Sequence, residues 1–299
     1  MKVTSSLILG IVLSLSTSLA FSKTFLDTFE SADFSATNTD GFKWGAPNRT
    51  SIVIQDPIKG PVAINNGKTI NNIHSSVMGD GTTRKWAPRM GLKSLRFNFP
   101  AETAMSEQRF NLGTPTKDIW ISYWLRVPPN YIHRNIRPNN AKFISLYMDG
   151  YADKGEASTV FIGLWANGNN GSNINASWTR TGNTLAGEKT SNVPFISYPS
   201  DQGRWMHIVV HLKPETSASA NNGEVQGWRK WANETEYTTL FDVANADMPL
   251  PTNGSNQGFT AGYLMGSWGP KFPAQTEWLL DDFTISDQPL IKNPGLSAN

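Results

Sequence analysis

Several strand-like segments carry side chains that could act on an acidic sugar. Arg96 and Asn98 share one face of one such segment, and Ser145 and Tyr147 share one face of another, because side chains alternate between the two faces of a strand. A tyrosine can remove and return a proton, and a cation or an amide can neutralise a carboxylate. These are the needs of β-elimination at a uronate, in which neutralising the carboxylate makes the C5 proton easier to remove.

Two tyrosines compete for the proton-transfer role. We expect Tyr147 or Tyr263 to serve as base and acid. We expect Arg96, Asn98 and Lys142 to neutralise the carboxylate. The alternatives are structural, because Tyr147 could cap the core and Arg96 could be a solvated surface residue. The substrate-binding candidates are cations, polar groups and indoles that stack on sugar rings: Lys142, Ser145, His133, Arg137, Trp165 and Trp268.

Other catalytic arrangements fit the sequence less well. Glycosidases need two carboxylates roughly 5–10 Å apart across a groove, whereas the adjacent Asp281 and Asp282 would point to opposite faces of a strand. His207 and His211 would share a strand face, but the strand rise separates them by about 13 Å, too far for one metal ion. The sequence also lacks an H-E-x-x-H pattern, an EF-hand loop and a phosphate-binding glycine loop.

The elements that would position these residues are predicted to be strands. The stretch from Arg204 to Phe241 predicts three in succession, separated by a polar loop and a tight turn. Only 17% of the 299 residues are charged, and the chain has 25 glycines, 18 prolines and 11 tryptophans, a composition that favours many strands and loops. About a dozen strand-like segments without helical segments between them predict an all-β fold, a two-sheet antiparallel sandwich.

The first twenty residues have the features of a secretory signal peptide. Lys2 precedes an apolar stretch over residues 7–19, and small residues lead up to a cleavage position after Ala20. We expect residues 1–20, or 1–22, to be removed and the protein to be secreted or periplasmic. The apolar stretch is too short for a stable membrane span, and no later stretch reaches the length of one.

The remainder of the chain is predicted to form a single domain over residues 23–288, followed by a tail over residues 289–299. No repeat, linker or change in composition divides it. The formal net charge of +2 is too small for a general nucleic-acid binder. The absence of cysteine excludes disulfides and thiolate metal sites. We expect a monomer whose stability comes from its core and whose partner is a polysaccharide.

Four stretches in a fixed order carry a family resemblance. They are FLDTFESADFS from Phe25, GRWMHIVVHLK with NGEVQGWRKWANE from Gly203, AGYLMGSWGP from Ala261, and WLLDDFTIS from Trp278. Their order resembles the concanavalin A-like jelly rolls, most closely the polysaccharide lyases among them: heparin lyase I-like, glucuronan lyase-like and alginate lyase-like enzymes. The resemblance covers most of the chain after the signal peptide and implies a jelly-roll fold.

The lyase motifs of that family are only partly present. Only Gly266 matches the Y-x-K-x-G-x-Y strand, and Tyr263 lies one residue from the position of its first tyrosine. Where alginate and heparin lyases have a Q-x-H strand, this chain has Ser145-Leu146-Tyr147. If the chain is a lyase, we therefore expect a catalytic set that differs from the usual one.

The resemblance also implies a metal site. Jelly rolls of this group often join their first and last strands through Ca²⁺, which prefers carboxylate and backbone oxygens. Glu30, Asp27 and Asp281 are the candidate ligands, and the alternative is that they are ordinary surface acids. Such a calcium ion would be structural, and we expect no cofactor to be required for the chemistry.

Two functions follow from the residues and the resemblance together. The first is a secreted polysaccharide lyase that cleaves an anionic, uronate-containing polysaccharide by β-elimination. The second is a non-catalytic extracellular carbohydrate-binding jelly roll that holds a glycan with tryptophans and basic groups. A structural or adhesive protein fits less well, because the single large domain lacks repeats.

Overall fold

The computed structural model describes residues 24–54, 91, 93–149, 158–180, 184–251 and 257–291. These ranges contain fifteen strands and no helix: β1 (Thr24–Asp27), β2 (Lys43–Trp44), β3 (Thr50–Ile54), β4 (Lys93–Phe99), β5 (Met105–Thr116), β6 (Ile119–Arg126), β7 (Asn140–Tyr147), β8 (Thr159–Ala166), β9 (Ser172–Thr179), β10 (Leu185–Thr190), β11 (Trp205–Lys213), β12 (Gly223–Trp231), β13 (Thr238–Ala246), β14 (Phe259–Ser267) and β15 (Thr276–Ser286). Within them, no helical segment has the length and apolarity needed to cross a membrane.

The strands form two antiparallel sheets. One sheet has eight strands in the order β13-β12-β11-β6-β15-β4-β3, with β1 paired to β15 as the eighth. The other has seven strands in the order β10-β9-β8-β7-β14-β5-β2. Late strands insert between early ones, so that β14 lies between β5 and β7, and β15 between β4 and β6. The predicted all-β sandwich of the jelly-roll type is confirmed.

The core fills the space between the two sheets, because alternate side chains of each strand are apolar. In β4, Leu95, Phe97 and Phe99 are fully buried, whereas Arg96 and Asn98 point outward and are half-buried. The same alternation in both sheets produces one large apolar cluster that draws on nearly every strand. This alternation fixes which polar side chains each sheet presents on its outer face.

A bulge in β7 changes this alternation at the centre of the seven-stranded sheet. The register with β8 shifts between Lys142 and Ile144, and both Phe143 and Ile144 enter the core. A bulge adds one residue to a strand without a partner residue opposite it. Lys142, Ser145 and Tyr147 therefore share the outer face, although the first two are an odd number of residues apart.

The stretch predicted to form three successive strands does so as β11, β12 and β13, which are neighbours in the eight-stranded sheet. The third strand begins and ends later than predicted. The long strand β5 was not predicted from the sequence at all. The predicted signal peptide, and residues 292–299 of the predicted tail, lie outside the described residues.

Candidate functional site

The outer side of the seven-stranded sheet carries a dense array of polar and aromatic residues. We call it the seven-stranded face and define it by the outward side chains of β2, β5, β7, β8, β9, β10 and β14. Antiparallel pairing places these side chains in rows that run across the strands. Two of the rows, and a pocket beside them, contain the groups most suited to bind and act on a sugar.

The central row crosses the sheet at Tyr263. Arg109 on β5 and Ser145 on β7 lie directly opposite Tyr263 on β14, and Phe161 on β8 follows Ser145. Side chains directly opposite each other have Cβ atoms about 5 Å apart. Tyr263 is fully buried, with the ammonium of Lys142 5.8 Å from the centre of its ring. Its ring therefore forms part of the floor of this face.

Arg109 is the most exposed charged group in that row. Its Nε donates to Glu107 Oε1 at 2.6 Å, and 48% of its side chain remains exposed, whereas the Glu107 side chain is buried. A buried carboxylate that accepts from Nε fixes the orientation of the guanidinium group. Arg109 is thus a positioned cation beside Tyr263.

The next row along the strands contains Tyr147. Ala261 on β14 lies opposite both Asn111 on β5 and Tyr147 on β7, and Lys43 on β2 lies opposite Asn111. The small side chain of Ala261 leaves space between its neighbours. Tyr147 is half-buried, whereas Lys43 and Asn111 are exposed.

The amide of Asn111 has a defined orientation in this row. Its Oδ1 accepts a hydrogen bond from the backbone N–H of Gly113 at 2.7 Å. The acceptor end of the amide is therefore engaged within β5, and the Nδ2 end supplies the donors. Together, Lys43, Arg109 and Asn111 give the β2–β5 side of the face a set of cations and donors.

An open pocket lies beside these rows, between β7 and β9. It has a volume of about 230 Å³, and its lining includes Lys142, Phe161, Gly163, Trp165 and Asn175. Gly163 lies between the two aromatic residues on the same side of β8, so the strand has no side chain at that position. Trp165 is 44% exposed, one of four large apolar side chains of the described chain that reach such exposure.

Gly266 explains how Lys142 reaches its position. The φ angle of Gly266 is +149°, and a Cβ atom there would lie 3.0 Å from Cβ of Lys142 and 3.5 Å from the Tyr263 ring. Glycine tolerates this backbone conformation without strain. It also leaves room for the stem of Lys142 to lie beside Tyr263. This is the one residue that matches the lyase motif named above.

The structure brings five of the predicted site residues together on the seven-stranded face. They are Tyr147, Tyr263, Lys142, Ser145 and Trp165. The hydroxyl of Ser145 is buried and has no hydrogen-bond partner among the described residues. Their proximity follows from the pairing of β7 with both β8 and β14 and from the bulge in β7.

Arg96 and Asn98 are placed elsewhere, which corrects their predicted role beside Tyr147. They lie on β4 of the eight-stranded sheet and point to the opposite side of the sandwich. Arg96 donates to Ser51 Oγ at 2.9 Å and pairs with Glu277 Oε1 at 3.4 Å. Because the core separates the two outer faces, neither residue can act on the same sugar as Tyr147.

His133 and Trp268 are buried, which corrects their prediction as substrate-binding residues. Nδ1 of His133 lies 2.7 Å from Ser172 Oγ, and burial lowers the pKa of His133 to about 4. Trp268 packs against Phe99, with ring centres 6.0 Å apart, and against Trp278 at 5.5 Å. Arg137 is exposed in the loop after β6.

The three predicted calcium ligands are engaged with groups of the protein itself. Asp27 accepts from Phe29 N and from Trp44 Nε1, both at 2.7 Å. Glu30 accepts from the backbone N–H of Lys93, and Asp281 accepts from the hydroxyl of Ser94. The described residues contain no group of three acidic or histidine side chains that could hold a metal ion. These carboxylates do not form the predicted set, and calcium binding stays a prediction.

Sequence reasoning missed Lys43, Arg109 and Asn111, because neither β2 nor β5 was predicted. The sequence does contain a signal for Arg109 and Asn111. The tripeptide Arg-Phe-Asn occurs at residues 96–98 and again at residues 109–111. The alternation of Phe110 and Leu112 with Arg109 and Asn111 has the period of a strand.

Comparisons with known proteins find similarity at the level of structure. An alginate lyase from Aplysia kurodai is 10% identical, with 66% of this chain and 84% of that chain covered and a TM-score of 0.49. An alginate lyase solved in complex with an alginate trisaccharide is 13% identical, with 64% and 80% covered and a TM-score of 0.47. A cellulose-induced protein is 12% identical, with 88% and 97% covered and a TM-score of 0.44.

No protein-family model matches the chain, and no curated protein matches it by sequence. The chain is thus similar to alginate lyases of jelly-roll architecture at low sequence identity. Its own strand order and register define the fold, and the geometry of the seven-stranded face is the basis for a functional assignment.

Proposed function

We propose that the protein cleaves an anionic, uronate-containing polysaccharide by β-elimination on the seven-stranded face. One observation carries the proposal: Asn111 on β5 faces Tyr147 on β7 across Ala261 of β14, which leaves space between them, and Arg109 lies in the adjacent row opposite Tyr263. Two strand spacings separate β5 from β7 by about 10 Å, which accommodates a sugar ring. The similarity to alginate lyases agrees with this choice of substrate class but does not carry it.

The cationic and amide side chains have one role in the reaction, and Tyr147 has another. Arg109, with Asn111 and Lys43, neutralises the uronate carboxylate and so stabilises the negative charge that develops when C5 loses its proton. Tyr147 acts in its phenolate form: its oxygen takes that proton and becomes a neutral hydroxyl. The electron pair of the C5–H bond forms the C4–C5 double bond, and the C4–O4 bond breaks. Tyr147 then returns the proton to the leaving oxygen O4.

Tyr147 is preferred to Tyr263 as the proton carrier because of accessibility. Tyr147 is half-buried at the edge of the space above Ala261, whereas the Tyr263 hydroxyl is fully buried. A general base must come within hydrogen-bond reach of the proton that it removes. Tyr263 then supports the sugar from below and holds Lys142 in place.

A second candidate function is glycan binding without cleavage. The observation that favours it is the pocket between Phe161 and Trp165, which offers stacking surfaces apart from any proton carrier. Indole faces bind the C–H faces of sugars through apolar contact. In that case the polar rows would hold a glycan and leave its linkages intact.

The test is a set of cleavage assays on alginate, glucuronan, ulvan and glycosaminoglycans. Cleavage by β-elimination produces an unsaturated uronate, which is followed by its ultraviolet absorbance. We expect Tyr147→Phe to reduce the rate on the cleaved polymer by about 10³-fold. Tyr237→Phe is the matched control, because its hydroxyl contacts His207 on the other sheet, and it should retain the wild-type rate within about twofold.

The outcomes separate the two candidate functions. Binding to a polymer without any unsaturated product would exclude the lyase and support the glycan-binding protein. If Tyr263→Phe abolishes cleavage and Tyr147→Phe does not, the proton carrier is Tyr263 and the assignment made above is incorrect.

A further inference from the structure

The pocket between Phe161 and Trp165 lies apart from the proposed reaction centre. Gly163 forms its floor and is four residues along β8 from Thr159, which lies opposite Tyr147. The strand rise makes this offset about 13 Å. A sugar in the pocket is therefore a different residue of the glycan chain from the one that reacts at Tyr147.

The lining of the pocket matches an acidic pyranose ring. Trp165 and Phe161 offer apolar faces on either side of the position left open by Gly163. Lys142 lies directly opposite Gly163 on β7, and Asn175 lies opposite it on β9. Asn175 Nδ2 donates to Thr190 Oγ1 at 2.9 Å, so its amide oxygen is the end of the side chain that can accept a hydrogen bond from a ligand.

The strand register holds these groups in place. Gly163 cannot be replaced by a larger residue without filling the space between the aromatic rings. A Cβ atom at this position would already lie 3.2 Å from the backbone oxygen of Ala141. The pocket thus depends on Gly163, on the β7 bulge that places Lys142 on the outer face, and on the exposure of Trp165.

We infer that this pocket is a distal subsite that binds a second uronate residue of the polymer. Trp165 stacks on its ring, and Lys142 pairs with its carboxylate. The inference rests on the proposed function for the position of the reacting sugar. The subsite implies that the glycan runs obliquely from β5 towards β8. It also implies that Trp165 does not increase the affinity for glycan chains too short to span both sites.

The test compares long and short substrates of the polymer that the cleavage assays identify. Trp165→Ala should raise KM for the polymer by about tenfold, the loss of roughly 1.4 kcal/mol of stacking. We expect a much smaller change in kcat, because the contact is made equally before and during the reaction. Trp165→Phe should restore most of the affinity. For oligomers too short to reach the pocket, the effect on KM should disappear.

Leu26→Ala is the matched control, because Leu26 is 55% exposed on β1 of the other sheet. An unchanged KM for the polymer in Trp165→Ala, or an equal change with short and long substrates, would overturn the subsite. If the wild-type protein cleaves no polymer, the proposed function fails, but the pocket is still tested by electrophoresis through gels that contain each polymer. Retardation of the wild-type protein that is lost in Trp165→Ala would support the pocket, and retardation equal in both would refute it.

Discussion

The tripeptide Arg-Phe-Asn occurs once in each sheet, with opposite consequences. In β4, Arg96 lies beside the buried carboxylate of Glu277 and the hydroxyl of Ser51. In β5, Arg109 keeps about half of its side chain exposed and lies opposite Tyr263. The phenylalanine enters the same core in both cases. The local sequence is identical, and the neighbouring strands decide whether the arginine stabilises the fold or faces a ligand.

The same contrast extends over the two outer faces. On the eight-stranded sheet, Trp120 stacks between His211 and Trp228, with ring centres 4.2 and 5.6 Å apart, and Ile291 packs on this cluster. On the seven-stranded face, Trp165 is 44% exposed beside an open pocket. Trp120 is thus covered on one face and Trp165 is accessible on the other, which makes the second face the better candidate for binding.

The two arginines of the repeated Arg-Phe-Asn tripeptide should differ most in their contribution to catalysis. Arg109→Ala should reduce polymer cleavage by about 10³-fold, because it removes a cation aimed at the charge that develops in the transition state. Arg96→Ala should leave the rate within about twofold. Rates on the cleaved polymer, measured by ultraviolet absorbance, check both values.

The Arg96→Ala variant should lose stability although it keeps its activity. Burial raises the pKa of Glu277, while Arg96 opposes that shift. Removing Arg96 leaves a buried carboxylate without its cation, so Arg96→Ala should lower the free energy of unfolding by about 1 kcal/mol. Equal activity losses in both variants would contradict the distinction between the two faces.

The sequence was sufficient for the class of fold, because alternation in segments such as β4 and the stretch from Arg204 to Phe241 reports one buried face. It was not sufficient to pair the strands. Period-two alternation shows that Arg96 points outward, but both outer faces meet that condition. The sheet to which β4 belongs depends on its long-range pairing with β15, about 180 residues later in the chain.

Two local features also limited the prediction of the site. The bulge in β7 is needed to place Lys142 on the same side as Ser145, and simple alternation would place them on opposite sides. Trp268 was expected to contact substrate because indoles stack on sugar rings. In the structure it is the centre of an aromatic cluster, which no property of the single residue could have indicated.

Tryptophan substitutions extend the comparison to stability. Trp120→Ala should lower the free energy of unfolding by about 3 kcal/mol, because it leaves a cavity between His211 and Trp228. Trp165→Ala should change it by less than about 0.5 kcal/mol, because the residue is exposed. Chemical denaturation of both variants provides the measurement, and equal losses would show that Trp165 is part of the fold rather than of a binding surface.

The last expected effect depends on pH and concerns His133, which the sequence suggested for binding and the structure buries. Burial lowers its pKa from 6.5 to about 4, so the folded protein holds this ring neutral where the unfolded chain would protonate it. The unfolded state therefore binds more protons between about pH 6.5 and pH 4, and stability should fall as the pH decreases through that range. The loss attributable to His133 is at most about 3 kcal/mol.

A His133→Gln variant isolates this contribution, because glutamine can still hydrogen-bond to Ser172 but does not titrate near neutral pH. The free energy of unfolding of both proteins, measured by denaturation from pH 7.5 down to pH 4, should converge as the pH falls, since only the wild-type protein loses this contribution. Parallel curves would mean that His133 titrates normally and is accessible to solvent. In that case the loop after β6 would be open, and a role for His133 in contacting the glycan would return.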